Sequence, residues 1–206
     1  MTSYLLFLAV AALTVLSPGP GVLMTIANAL RFGFRGTVGG IFGIAAGAFI
    51  VAGISATALG ALLAASAVAF SVMKFVGAAY LMYLGLKIWK ASPPNFCNRS
   101  VHEAKFLRRF GEGLALQMTN PKAIFFFLSV FPQFVESGPS HKAQFALLVA
   151  SYATLVVCIH TGYALFAHQA RAWLTSERGG RLLNKAGGAT FMGFGAALAL
   201  AKRSGT

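Results

Sequence analysis

Long apolar runs alternate with short polar, basic connections along the chain, and about 20 apolar residues are what a helix needs to cross the hydrocarbon core of a bilayer. Six such runs lie between the charges: Tyr4 to Leu30, Gly36 to Leu63, Ser66 to Trp89, Phe110 to Phe134, Phe145 to Ala167 and Leu183 to Ala201. The last is short and rich in glycine. The pattern predicts an all-α integral membrane protein of six transmembrane helices.

Two of the runs carry helix breakers near their middle. Ser17-Pro18-Gly19-Pro20-Gly21 interrupts the first run and Asn120-Pro121 the fourth. Proline lacks a backbone N–H and clashes with the preceding turn, and glycine adds backbone freedom, so no regular helix passes through such a stretch. A membrane tolerates the break only where protein or a polar cavity satisfies the freed backbone groups. Asn120-Pro121 also has the grammar of a helix start, an Asn N-cap followed by Pro at the first helical position, and Ser17-Pro18 shares it. The first and fourth helices are therefore expected to be broken, each with a half-helix starting near the midplane.

The connections set orientation, because Lys and Arg accumulate on the cytoplasmic side. Arg31 and Arg35 follow the first run; Lys87, Lys90, Arg99, Lys105, Arg108 and Arg109 follow the third; Arg171, Arg178, Arg181 and Lys185 follow the fifth. The opposite side carries Lys142, Lys202 and Arg203. Both termini are thus expected in the periplasm, with Trp89 and Trp173 at the cytoplasmic interface. Ala91 to Arg109, polar, basic and broken by Pro93 and Pro94, reads as a linker between repeat one (1–90) and repeat two (110–206) of a single transporter domain. Lys74, Gly77, Ala78 and Tyr83 answer to Lys185, Gly188, Ala189 and Phe194 at one constant offset. Two three-helix repeats must be inverted, since an odd number of crossings leaves the chain on the other side; inverted repeats with interrupted helices point to transporters.

Composition agrees and narrows the choice. Of 206 residues 57% are hydrophobic and 10% charged, with a mean hydropathy of +0.73, too apolar for a soluble domain. The net charge of +13 would suit nucleic acid, but the cations lie between apolar runs, where they set topology and meet anionic headgroups of the lipid bilayer. Neither a basic residue before Tyr4 nor a small-residue cleavage pattern marks the first run as a signal peptide. Cys97 and Cys158 form no metal-ligand spacing, Gly19 and Gly21 complete no phosphate-binding fingerprint, and no nucleophile, base and acid set supports an enzyme. No cofactor or metal is expected.

The chemistry collects at the two breaks. In the inverted arrangement, the positive ends of two half-helices converge from opposite faces and form a carboxylate site. Its candidates are Ser17, Pro18, Gly19, Pro20 and Gly21 with Gln117, Thr119, Asn120, Pro121 and Lys122. Lys122 is the one basic residue well inside an apolar run, and a charge at that depth usually faces a cavity or a partner. It would bind a substrate carboxylate, or else snorkel or cap the carbonyls that end the first half-helix. Glu112 and His160, the latter beside Thr161, are the candidate proton relay. Gly39, Gly43 and Gly47 give the second helix a small face for close packing, within the protomer or between the protomers of a homodimer.

Ser17-Pro18-Gly19-Pro20-Gly21, Gly33-Phe34-Arg35-Gly36, Gly77-Ala78-Ala79-Tyr80-Leu81-Met82-Tyr83-Leu84-Gly85, Asn120-Pro121-Lys122-Ala123 and Phe131-Pro132-Gln133-Phe134 together resemble the lysine exporter / homoserine-threonine resistance family of bacterial amino-acid exporters. The resemblance covers nearly the whole chain. It implies an inner-membrane secondary exporter that moves amino acids or close derivatives outward on the proton gradient. Such exporters often carry an acidic residue in the fifth span, and Leu155 to Gly162 has none, which weakens the case for proton coupling. A passive channel, or an exporter of an ion or another small metabolite, is the alternative on the same scaffold.

Overall fold

The computed structural model describes residues 2–65, 67–93, 105–135, 141–167 and 169–200, and the side chains of these except Thr2, 57–74, Ser129 and Pro132. Cys97, Arg99, Glu103, Glu136, Lys202, Arg203 and most of the 91–109 linker lie outside the described residues, as does the side chain of Lys74. Every regular element among the described residues is helical: α1 (Thr2–Leu16), α2 (Pro20–Ala65), α3 (Ala67–Trp89), α4 (Phe106–Met118), α5 (Pro121–Phe125), a π-helical turn (Phe126–Val130), a 3-10 turn (Phe131–Phe134), α6 (His141–Phe166), α7 (Arg171–Leu174) and α8 (Glu177–Leu200).

Straight, the 46 residues of α2 would extend about 69 Å, twice the hydrocarbon thickness. Instead Gly33 takes φ 67° and ψ −176°, a left-handed φ open to glycine without strain. The chain folds back there, because a Cβ on Gly40 would lie 3.1 Å from Met24 Cε and one on Gly21 would lie 3.6 Å from Ile44 Cδ1. Residues 20–32 and 34–65 are therefore the two legs of a helical hairpin, divided where the sequence separates its first two runs.

Glycines set the closest helix contacts. A Cβ on Gly43 would stand 2.1 Å from Phe110 O, and one on Gly113 would stand 2.3 Å from Gly40 O, so the second leg of α2 and α4 touch backbone to backbone. The Gly39, Gly43 and Gly47 face is thereby occupied within the protomer. Gly85 and Gly188 bring α3 and α8 together in the same way, Gly85 O lying 2.6 Å from a Cβ on Gly188. An aromatic cluster then ties α6 to the π-helical turn and α1 to the 3-10 turn: Phe126 meets Tyr152 at 4.7 Å and Phe7 meets Phe131 at 5.9 Å between ring centres.

Many large apolar side chains face outward, among them Leu5, Leu13, Phe49, Ile54, Val76 and Phe166, as they would against lipid rather than water. Among the described residues two stretches are long and apolar enough to cross a membrane, Pro20–Ala56 and His141–Phe166, and Ser3–Leu16 and Phe75–Trp89 are shorter apolar helices. Pro20–Ala56 includes the turn at Gly33, so it holds both legs of the hairpin. The expected fourth run falls short by this measure because the break at Asn120 divides it.

Candidate functional site

The end of α1 and the start of α2 are separate structural events. Ser17 N–H donates to Leu13 O at 3.1 Å and Ser17 Oγ donates to Thr14 O at 2.7 Å, so Ser17 completes α1. Gly19 O accepts the first α2 bond, from Leu23 N–H at 3.0 Å, which puts Gly19 at the N-cap and Pro20 at the first helical position. The half-helix thus begins two residues later than the start expected at Ser17-Pro18; Ser17 is committed to the preceding helix, and glycine serves as an N-cap nearly as well. In the other break Asn120 and Pro121 hold the positions expected of them. Asn120 Oδ1 accepts from Lys122 N–H at 3.1 Å, and Asn120 O accepts from Ile124 N–H at 3.0 Å.

Lys122 joins the two breaks. Its side chain is buried, and Nζ donates to Ser17 O at 2.8 Å and to Ser17 Oγ at 3.2 Å. A Cβ on Gly19 would come within 3.1 Å of Nζ. The ammonium therefore lies at the C-terminal end of α1, where unpaired carbonyls give the helix its negative pole. Tyr163 Oη satisfies a neighbouring carbonyl, donating to Leu16 O at 2.6 Å. Among the described residues the ion pairs are Arg108 and Arg109 with Glu112 and Arg181 with Glu177. None reaches Lys122. A buried cation held by neutral acceptors favours an anion beside it.

Beside the ammonium is a cavity of about 10 Å³ lined by Gly21, Gln117, Asn120, Lys122, Tyr152 and His160, room for roughly one water. The N–H groups of Gly21 and Val22 face no carbonyl of their own helix at this end. His160 Nδ1 shares a hydrogen bond of 2.7 Å with Thr25 Oγ1, which ties α6 to the first leg of α2. A second recess of about 390 Å³ lies between α1 and α8, lined by Val10, Leu13, Ser17 and Phe194.

Of the residues named from sequence, Ser17, Gly19, Gly21, Gln117, Asn120, Lys122 and His160 thus meet around one point. Thr119 does not, since its side chain is exposed and donates to Ala115 O and Leu116 O of its own helix. Pro18 turns its carbonyl toward Gly187 on α8. Glu112 is spent on two arginines and sits eight residues before Asn120, about 12 Å along a helix. Thr25 and Tyr152 belong to the site without having been singled out; each is a polar residue in an apolar run, but sequence does not show which way such a residue faces.

Residues 4–202 match the family model described as LysE type translocator. An uncharacterized membrane protein of Vibrio cholerae is 34% identical over 199 residues, covering 97% of both chains. A protein of Salmonella typhimurium named homoserine/homoserine lactone efflux protein is 33% identical over 198 residues, covering 96% of both, and a membrane protein of Bacillus subtilis, YrhP, is 26% identical over 204 residues, covering 95% of this chain and 97% of its own. No solved structure matches the chain. With its whole apolar length inside that match, this is a membrane protein, and it belongs to the family of LysE type translocators.

Proposed function

We propose that the chain is a secondary exporter of amino acids or close derivatives in the bacterial inner membrane, working by alternating access around the two helix breaks. One observation carries the reading: Lys122 is a buried cation with no carboxylate partner among the described residues, placed where the two breaks meet. The family and the efflux relative support the direction and class of transport. A substrate carboxylate would take the place of Ser17 O as acceptor for Nζ and would also meet the N–H groups at the start of α2. Because Lys122 lies on one break and Ser17 on the other, that exchange loosens the contact between them. Binding and opening are then one event. The cavity of about 10 Å³ is too small for an amino acid, so in this reading the two breaks part for a substrate to enter.

The architecture in this reading is six spans in two inverted repeats, with both termini periplasmic. The first half runs helix, break, half-helix, turn at Gly33 and two further helices, and the second again opens with a helix, a break and a short helical stretch before α6, α7 and α8. Two contacts between basic connections support a common cytoplasmic end: Arg109 lies over Phe32, and Asn184 Nδ2 donates to Ala91 O and Ser92 O at 2.9 Å. Proton coupling belongs to the same proposal, and of the two candidate relays His160 is the one beside the Lys122 cavity.

The test is efflux of labelled amino acids from preloaded cells, with the proton gradient intact or collapsed, for the wild type and Lys122→Met. We expect gradient-dependent movement against the concentration gradient, lost in Lys122→Met at equal membrane abundance. Movement that stops at equal concentrations identifies a passive channel, and undiminished efflux by the variant removes Lys122 from the mechanism.

A further inference from the structure

Two buried donors away from the Lys122 cavity have no acceptor among the described residues. Asn28, on the first leg of α2, is 6% exposed and Arg109, on α4, is 8% exposed, and neither Asn28 Nδ2 nor Arg109 Nε has a hydrogen-bond partner. Both residues border Gly40, since a Cβ there would lie 3.5 Å from Asn28 Nδ2 and 3.7 Å from the backbone oxygen of Arg109. Phe32, one turn beyond Asn28, carries the Arg109 guanidinium 4.1 Å above its ring centre. On one side of the guanidinium, Nη1 donates to Glu112 Oε2 at 2.7 Å. The ring and the carboxylate therefore fix both the plane and the rotation of the guanidinium, leaving the Nε–H edge unused.

Buried donors are nearly always satisfied, and leaving one unmade costs more than a surface group would. Two together, one on a positioned cation, fit an acceptor that arrives with a ligand. The Nε edge of a guanidinium is shaped for a carboxylate, and the Asn28 amide, which borders Gly40 as the Arg109 backbone does, offers a neutral donor. Glu112 offsets only part of the charge of Arg108 and Arg109, so the place stays electropositive.

We propose that Asn28 and Arg109 form a second carboxylate site, which captures the amino acid on the side of the basic connections before it reaches Lys122. Asn28 lies seven residues beyond Gly21 on the same leg, about 10 Å of helix, so the two sites are one substrate length or more apart. Glu112 and Phe32 are positioning residues that hold the guanidinium. The inference rests on the exporter reading and gives that reading its cytoplasmic mouth.

The experiment uses inverted membrane vesicles, whose cytoplasmic face is outward, and two labelled probes. L-homoserine has a free carboxylate, whereas homoserine lactone has the same skeleton with the carboxyl closed into the ring. Asn28→Asp replaces the neutral donor with a carboxylate that repels the incoming one, and the half-saturating concentration of homoserine should rise at least tenfold, about 1.4 kcal/mol, while that of the lactone rises less than threefold. Asn28→Ala, which removes only the neutral donor, should shift homoserine in the same direction by less, and it decides the matter if the Asp variant does not reach the membrane. Unchanged half-saturation for homoserine in these variants, or equal shifts for both probes, overturns the site while leaving the exporter in place. Wild-type vesicles that accumulate neither these probes nor any other labelled amino acid overturn the exporter reading and this site with it.

Discussion

Gly43→Ala places one methyl group in the contact between the second leg of α2 and α4. Its Cβ would stand 2.1 Å from Phe110 O and 2.9 Å from Leu114 N, against 3.4 Å for the near limit of ordinary contact. The shortfall of about 1.3 Å falls on backbone atoms, which cannot swing aside as the end of a side chain can. The two helices must separate by about that much, and a gap of 0.5–1 Å already forfeits roughly a quarter to a half of a dispersion contact. Gly39, Gly40 and Gly113 share the crossing, so the loss extends along it. Overpacking typically costs about 1–3 kcal/mol, and rigid partners put this case near the top of that range. At roughly 2–4 °C per kcal/mol for a chain of this size, the apparent melting temperature in detergent should fall by about 6–12 °C. Gly111→Ala is the control, because Gly111 is on α4 with nothing within 4 Å of a new Cβ, and it should be neutral or stabilising by up to about 1 kcal/mol. A Gly43→Ala protein that melts with the wild type would refute the backbone contact and return the glycine face to other partners.

Asn120→Ala removes the side chain that accepts from Lys122 N–H; loss of the cap should cost about 1 kcal/mol, read as a fall in melting temperature, with a larger proportional loss of efflux because Lys122 follows the cap directly. Thr25→Val keeps the shape of the side chain but leaves His160 Nδ1 without its 2.7 Å partner, a cost of about 1–3 kcal/mol for a buried group; a double-mutant cycle with His160→Ala should return most of that as coupling between the two sites.

Where the helices lie could be read from the chain because length and apolarity are decided residue by residue. How they pack was less open. Gly39, Gly43 and Gly47 announce a close approach, but the identity of the partner is tertiary information, and it is α4 of the same chain. Gly33 stood inside a recognisable connection, yet its φ of 67° is what turns 46 helical residues into a hairpin. The start of α2 was misplaced by two residues for a local reason. Ser17 can either cap a following helix or return its hydroxyl to the preceding one, and only the fold shows the bond to Thr14 O.

Lys122 illustrates the boundary between what a sequence and a fold can say about the candidate site. Its depth marked it, and the two readings its residue type allowed, a cap for carbonyls or a clamp for a carboxylate, looked like rivals. The geometry places Nζ on Ser17 O with no acid at hand among the described residues, which is the capped form. Under the exporter reading the rivals become successive states of one ammonium, since a group that must release a carboxylate needs an alternative acceptor of similar strength close by. Asn28 and Arg109 gave no such warning. An arginine at a helix end and an asparagine near another are ordinary in a membrane protein. They become a candidate site only when the turn at Gly33 brings Phe32 under the guanidinium and leaves two buried donors without a partner among the described residues.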